Sequence, residues 1–357
     1  MDRPWITAGL KFARVRQGDL PSLLVQRVAR IRPKAGVDAD YLHSVIASSD
    51  FTQHIQTITT GTAVPHISGK QIQEYKFNIP DIVTQRSVGS LLMAFDDRIT
   101  LLRETNTTLE AIAQALFKSW FVDFDPVRAR MEGRAPEGMD EATAALFPDG
   151  FEESELGLVP RGWVVKRLSD VLKAKNERVE QLIVPEYAST NEGLVPRAKI
   201  YKKQLAASSS KNKLIRRGDL IFGLSRQVLN FGQMQDEIGS VSSAYKIYQI
   251  DAHEVIPELL GRLIRTRSDY FFNAVSASSR EGQSVSSDAL GMLNFVQPPI
   301  GVQNILGLAV QPLLTRGFLC LNQAESLNEI RDTLLPHLIS GQLRLPEAEA
   351  LLEEACA

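Results

Sequence analysis

The chain has 357 residues, room for two domains of ordinary size plus connecting helices. Its 44% hydrophobic and 23% charged residues make a globular composition. No run of about 18 apolar residues occurs and the start, MDRPWITAGL, lacks a signal-peptide core, which argues against a membrane or secretion and for the cytoplasm.

The formal charge of −2 hides an uneven distribution. Residues 1–90 hold 11 Lys+Arg against 7 Asp+Glu, and residues 161–300 hold 20 against 14, so these segments are +4 and +6. The connectors are acidic: 3 against 6 in 91–127, 3 against 8 in 128–160, 2 against 3 in 301–340 and 1 against 4 in 341–357. Basic segments joined by acidic connectors suit phosphate contact, because screened charges act over a Debye length of ~8–10 Å. Ordinary variation of surface charge is the plainer alternative.

In chain order, strand-like pieces at Lys11–Val15, Leu23–Ile31 and Tyr75–Ile79 flank a predicted helix at Asp38–Ser48, whose acidic start favours capping. Val28, Ile31, Leu42, Val45, Phe77 and Ile79 form the expected apolar set of this first segment. The loop GTAVPHISGK at 61–70 has its glycines eight apart, and Gln71 stands where a phosphate loop needs Ser or Thr, so it is not a Walker motif. His66, Ser68 and Lys70 either reach DNA from this loop or only shape it.

From Leu91 to Leu116 apolar residues recur at steps of three and four: Leu92, Phe95, Ile99, Leu102, Leu109, Ala113 and Leu116, with Asn106 as the polar member of the row. That is a coiled-coil seam. No Pro interrupts Val83–Trp120, so one spacer helix of roughly 50 Å is allowed at ~1.5 Å per residue. A second copy lies 218 residues downstream without a gap: Val310, Leu313, Cys320, Leu327 and Leu334 answer Leu92, Phe95, Leu102, Leu109 and Leu116. The register extends upstream, where Ile67, Ser68, Phe77, Pro80 and Gln85 meet Val285, Ser286, Phe295, Pro298 and Gln303. The chain is therefore an internal duplication. Gly18-Asp19-Leu20 matches Gly218-Asp219-Leu220 at an offset of only 200, so the first copy lacks 18 residues, the counterpart of Ile221–Ile238, as well as a front portion. Either that portion is lost or the natural start lies elsewhere.

Trp120, Phe121 and Phe124 close the first helix, read most simply as a hydrophobic staple at a domain junction. Residues 128–158 read as a polar, Pro- and Gly-containing linker with one short helical turn. The second segment then opens at Leu158–Trp163. Between Arg161 and Arg217 it holds 14 basic residues against 5 acidic ones, interleaved with Trp163, Tyr187 and Tyr201, a plausible phosphate track. Lys202, Lys203, Lys211 and Lys213 suit backbone phosphates. Arg226 and Gln227, and likewise Arg280 and Gln283 in the loop matching GTAVPHISGK, suit guanine and adenine edges.

Signs of catalysis are missing. The one Pro-Pro, Gln297-Pro298-Pro299-Ile300, lacks the polar ligand and aromatic of an adenine methyltransferase, and no GxGxxG, GxxxxGK[ST] or HExxH occurs. The five histidines and the two cysteines, Cys320 and Cys356, show no metal spacing and no disulfide framework. Two alternatives remain, an enzyme assembled from scattered residues and a degenerate scaffold with one-sided or no DNA readout.

Four strings resemble the specificity subunit of type I restriction-modification enzymes: LEAIAQALFKSWFVDFDPV at 109–127, GTAVPHISGK at 61–70, ELGLVPRGWVVKRLSDV at 155–171 and SLNEIRDTLLPHLISGQL at 326–343. The resemblance covers nearly the whole chain. It implies an α/β (α+β) protein in which two target recognition domains, separated by two long antiparallel coiled-coil helices, each read half of a split sequence in double-stranded DNA. The boundaries would be 1–83 (first recognition domain, apparently truncated), 84–122 (first spacer helix), 123–160 (linker), 161–300 (second recognition domain), 301–340 (second spacer helix) and 341–357 (acidic tail). The subunit would be non-catalytic, with no cofactor or metal of its own. Its partners would be two methyltransferase subunits, which carry S-adenosylmethionine and dock near Trp120, Phe121 and Phe124, and ATP-driven restriction subunits.

Overall fold

A computed structural model describes residues 5–6, 9–26, 28–59, 67–190, 193–200, 209–224, 229–276, 287–344 and 346–347. The chain forms two compact units, Met1–Thr108 with Arg316–Ala357 and Leu109–Thr315. Two long helices, Ile82–Phe121 and Ile300–Ser340, contribute to both.

Unit 1 opens with the two-residue ladder of β1 (Trp5–Ile6) and β2 (Gly9–Leu10). Helix Ala39–Ala47 follows; the Asp38 carboxylate caps it by accepting from the amides of Asp40 and Tyr41. Helices Ser49–Ile58 and Gly69–Gln73 come next. The first long helix buries Val88, Leu92 and Phe95 against Leu334, Leu335 and Leu338 of the second, and Ile99 and Leu102 against Cys320 and Ala324. Numbers rise along one helix as they fall along the other, so the pair is antiparallel. Asn106 sits opposite Gly317, where any side chain would strike its Oδ1, so this glycine makes room for the polar seam residue.

The unit 1 strand expectations are corrected. Residues 11–16, 22–25, 28–31 and 75–80 form no strand, and Val28, Ile31 and Ile79 are exposed, whereas Val45 is buried and Phe77 packs against the core. The reason is pairing: a strand needs a neighbour for its N–H and C=O groups. Among the described residues none lies beside 76–79.

In unit 2 the counterpart of 76–79 does have one. β3 (Phe151–Ser154) and β4 (Gly157–Pro160) form a hairpin, and β5 (Val164–Arg167) pairs antiparallel with the last strand, Asn294–Gln297. Between them come β6 (Leu172–Lys175), β7 (Glu186–Thr190), β8 (Gly193–Pro196), β9 (Lys213–Arg216), β10 (Leu220–Leu224), β11 (Leu229–Gln233), β12 (Ile238–Val241) and β13 (Lys246–Ile250), in two four-stranded sheets of order β11-β10-β13-β6 and β8-β7-β12-β9. Side chains alternate along a strand. Leu220 and Phe222 of β10 therefore join a core with Leu259, Leu263 and Phe271 of the helices Pro257–Thr266 and Ser268–Ser276, while Ile221 joins Tyr187, Ile215 and Val241 of the other sheet.

The linker expectation is also revised. Residues 123–160 contain helices Asp125–Met131 and Glu141–Ala145 as well as the β3–β4 hairpin. Asp140 caps the second helix, and the Arg130 guanidinium donates to the carbonyls of Ala144, Ala145 and Phe147, which holds Phe147 in the core.

The duplication is visible atom by atom. Gln85, buried in unit 1, accepts from the Asp38 amide (2.8 Å) and donates to the carbonyls of Gly36 (3.1 Å) and Pro80 (2.8 Å). Gln303 in unit 2 accepts from the Ile256 amide (3.1 Å) and donates to those of Glu254 (3.2 Å) and Pro298 (2.9 Å), so all four positions are displaced by the same 218. At offset 200, Asp19 accepts from the Arg16 amide (2.7 Å) as Asp219 does from that of Arg216 (2.8 Å).

The second long helix contains an 18-residue window of mean hydropathy 1.3, long and apolar enough by length and composition to cross a membrane. Val302, Leu306, Val310, Cys320, Ala324 and Leu334 on that helix are buried in the units' own cores.

Candidate nucleic-acid interface

The expected DNA-contact residues Lys202, Lys203, Arg226, Gln227, Arg280, Gln283 and His66 lie outside the described residues. What flanks two of them is clear. β10 and β11 pair in register up to Leu224 opposite Leu229, so residues 225–228, with Arg226 and Gln227, join the two ends of a paired hairpin.

Ser68 is engaged in a capping box, accepting from the Gln71 amide (3.2 Å) while its own amide donates to Gln71 Oε1 (2.8 Å). That geometry sets the start of helix Gly69–Gln73 and leaves Lys70 exposed on it. Lys211 is exposed, and its carbonyl accepts from the Arg178 guanidinium.

The dense positive stretch of unit 2 is partly neutralised from within. Arg161 pairs with Asp149, Lys166 with Glu254, Lys175 with Asp219, Arg197 with Glu186, Arg216 with Glu177 and Arg217 with Glu237. The Lys175–Asp219 pair (2.7 Å) is the most buried and locks the Gly218-Asp219-Leu220 turn onto β6. The Arg216 hydrogen bond holds the Glu177 carboxyl below its ordinary value.

A different basic group stands apart from these pairs. Arg178 bridges to Lys213 at the start of β9, and the buried Lys213 ammonium donates to the Tyr245 carbonyl (2.8 Å) next to Lys246. Burial lowers the Lys213 pKa first, and the charges of Lys246 and Arg178 lower it further. Among the described residues no carboxylate pairs with Arg178, Lys211, Lys213 or Lys246. Arg178, Lys213 and Lys246 are thus three like charges that act on one another, with no carboxylate paired to them among the described residues. The Tyr245 ring covers Gly223 of β10 so closely that a Cβ there would collide with it, which ties the basic group to the strand leading into residues 225–228. Sequence reading named Lys211 and Lys213 but missed Arg178, Tyr245 and Lys246, since pairing across more than 30 residues leaves no local signal.

Of the three aromatics expected to meet a partner protein, two are buried and Phe124 is half-buried. Trp120 and Phe121 are 7% and 8% exposed, and Phe121 and Phe124 pack on Trp163 with ring centroids 5.6 and 5.7 Å away. Most of the apolar area of Trp120 and Phe121 is already removed from water by unit 2 itself, while Phe124 is half-buried. Among the described residues no group of three His, Cys, Asp or Glu side chains could hold a metal ion.

Residues 3–111 match the family described as type I restriction modification DNA specificity domain. The chain is 25% identical over 338 residues to the type I restriction enzyme MjaIX specificity subunit of Methanocaldococcus jannaschii, covering 90% of this chain and 73% of that one. Over 183 residues, 40% of each chain, it is 34% identical to the type I restriction enzyme HindI specificity subunit of Haemophilus influenzae. The crystal structure of a type I restriction-modification system S subunit from M. genitalium superposes with a TM-score of 0.53 at 13% identity, over 85% of this chain and 73% of that one, which shows a shared fold. Taken with the duplicated helical frame, these matches make the chain similar to type I restriction-modification specificity subunits over most of its length.

Proposed function

We propose that this chain is the non-catalytic DNA specificity subunit of a type I restriction-modification enzyme, reading a bipartite sequence and directing methyltransferase and restriction subunits to it. The observation that carries this is the likeness to a named specificity subunit over 90% of the chain, which spans both units. It also disfavours a degenerate scaffold. Residues 1–83 and 161–300 are the two recognition domains, residues 84–122 and 301–340 the spacer helices, 123–160 the connection and 341–357 the tail. Two methyltransferase subunits bind, and the complex works in the cytoplasm, where its DNA is.

Within the second domain, Arg178, Lys211, Lys213 and Lys246 contact backbone phosphates together with Lys202 and Lys203, and Arg226, Gln227, Arg280 and Gln283 face base edges. In the first domain His66, Ser68 and Lys70 take the corresponding place. The methyltransferase docks near Trp120, Phe121 and Phe124, where the half-buried Phe124 and the exposed Lys118 offer surface to it. The test is to express the chain with its methyltransferase subunit and sequence modified adenines. A bipartite motif that disappears when this chain is omitted is the expected result, and an unchanged methylation pattern without it overturns the reading.

A further inference from the structure

Within unit 1, the first turns of the first long helix and the end of the second enclose an open groove of about 520 Å³. Ile79, Pro80, Val83, Val88, Leu338 and Leu343 make its walls apolar, and Arg344 is the one charged residue among those lining it. Val83, which lines this groove, is 69% exposed.

The duplication locates the matching place in unit 2, where Trp120 stands for Leu338 and Gly301 for Val83. There the place is filled. Phe147 stands edge-on to Trp120 with centroids 5.5 Å apart, and Leu146 Cδ2 lies 4.0 Å from the position of a Cβ on Gly301. Val302 is buried, while its counterpart Thr84 in unit 1 is exposed. The plug comes from the turn that follows the short helix Glu141–Ala145, held by Arg130. Among the described residues of unit 1 nothing fills the equivalent space.

We infer that the unit 1 groove is a docking site for a polypeptide segment supplied by another molecule and built like residues 139–150 of this chain: one helical turn ending in a Leu-Phe pair. The segment Met139–Gly150 carries three acids, Asp140, Glu141 and Asp149, and no Lys or Arg, which complements the single cation at the groove, Arg344. The same apolar pair on the same helical frame gives the same burial, so the second unit acts as a template for the first.

The test uses the full chain and a fluorescently labelled synthetic peptide of residues 139–150. Saturable binding is expected, weakened at least tenfold when Leu146 and Phe147 of the peptide are both replaced by Ala. Val83→Asp in the chain should weaken binding by a similar factor without altering the circular dichroism spectrum, because Val83 is exposed. Absence of binding, or binding indifferent to both changes, overturns the inference. So do two further results: self-association that Val83→Asp abolishes and the peptide cannot compete, which assigns the groove to a second copy, and peptide binding seen only after removal of residues 348–357, which assigns it to the chain's own end.

Discussion

In unit 2 the helices that converge on Gln303 are accompanied by two four-stranded sheets, and Leu220 of the Gly-Asp-Leu turn is fully buried beneath them. In unit 1 the equivalent helices converge on Gln85, but the described residues among 12–31 form no strand, and Leu20, at the same place in the same turn, is 54% exposed. Two lessons follow from the pair. The Gln clamp, a helix before it and the interhelix seam form in unit 1 without the sheets, so the helical frame does not depend on them. The Asp turn likewise forms from three local residues whether or not a sheet lies over it, because an Asp side chain closing on its own backbone needs no tertiary partner.

The comparison can be broken most forcefully at Phe147, which fills in unit 2 what stays open in unit 1. Phe147→Ala should cost ~3–5 kcal/mol in unit 2, the range for truncating a buried Phe. Urea unfolding followed by Trp120 and Trp163 emission would measure it, and a loss below ~1 kcal/mol would show that the plug is dispensable in both units. A smaller effect is expected at the clamps. Gln303→Leu and Gln85→Leu each strip partners from three backbone groups, and ~1–3 kcal/mol per variant is expected for leaving a buried group unpaired. Hydrogen exchange of the flanking helices would compare the two, and sensitivity of only one unit would end their equivalence.

Lys246→Ala should leave stability nearly unchanged, since it removes one of three mutually repelling charges. It should weaken binding to all duplexes alike and lower the salt slope by about 1. A change of sequence preference would instead place Lys246 against a base. The smallest effect concerns pH in unit 1. Burial lowers the His43 pKa, against an upward pull from Asp96 (3.9 Å) and Asp40, while Arg14 and Arg16 add to the lowering. The unfolded chain then binds the proton at higher pH than the folded one, so stability is full above the ordinary value of 6.5 and falls as pH drops through the window below it. His43→Gln should flatten that slope in acid-titration melts of unit 1, with no counterpart in unit 2, where Gly261 holds the equivalent position.

The amino-acid sequence by itself determined the long helices, the seam, the duplication and the capped helix after Asp38, because each rests on interactions between residues near in sequence or on a period repeated many times. The 218-residue register was legible to the level of Gln85 and Gln303, though not what these glutamines hold. Only the tertiary structure decided which extended segments become strands. Asn294–Gln297 pairs with β5 and is a strand, while Lys76–Ile79, with the same Phe at the same place, has no strand beside it among the described residues and is not one. It also decided which positive charges meet an acid, since Arg216 and Lys175 are neutralised by Glu177 and Asp219, each about 40 residues distant, whereas Arg178, Lys213 and Lys246 are brought together with no acid paired to them among the described residues. Strand pairing and charge pairing are long-range choices, and their energy depends on which neighbour arrives rather than on the residue itself.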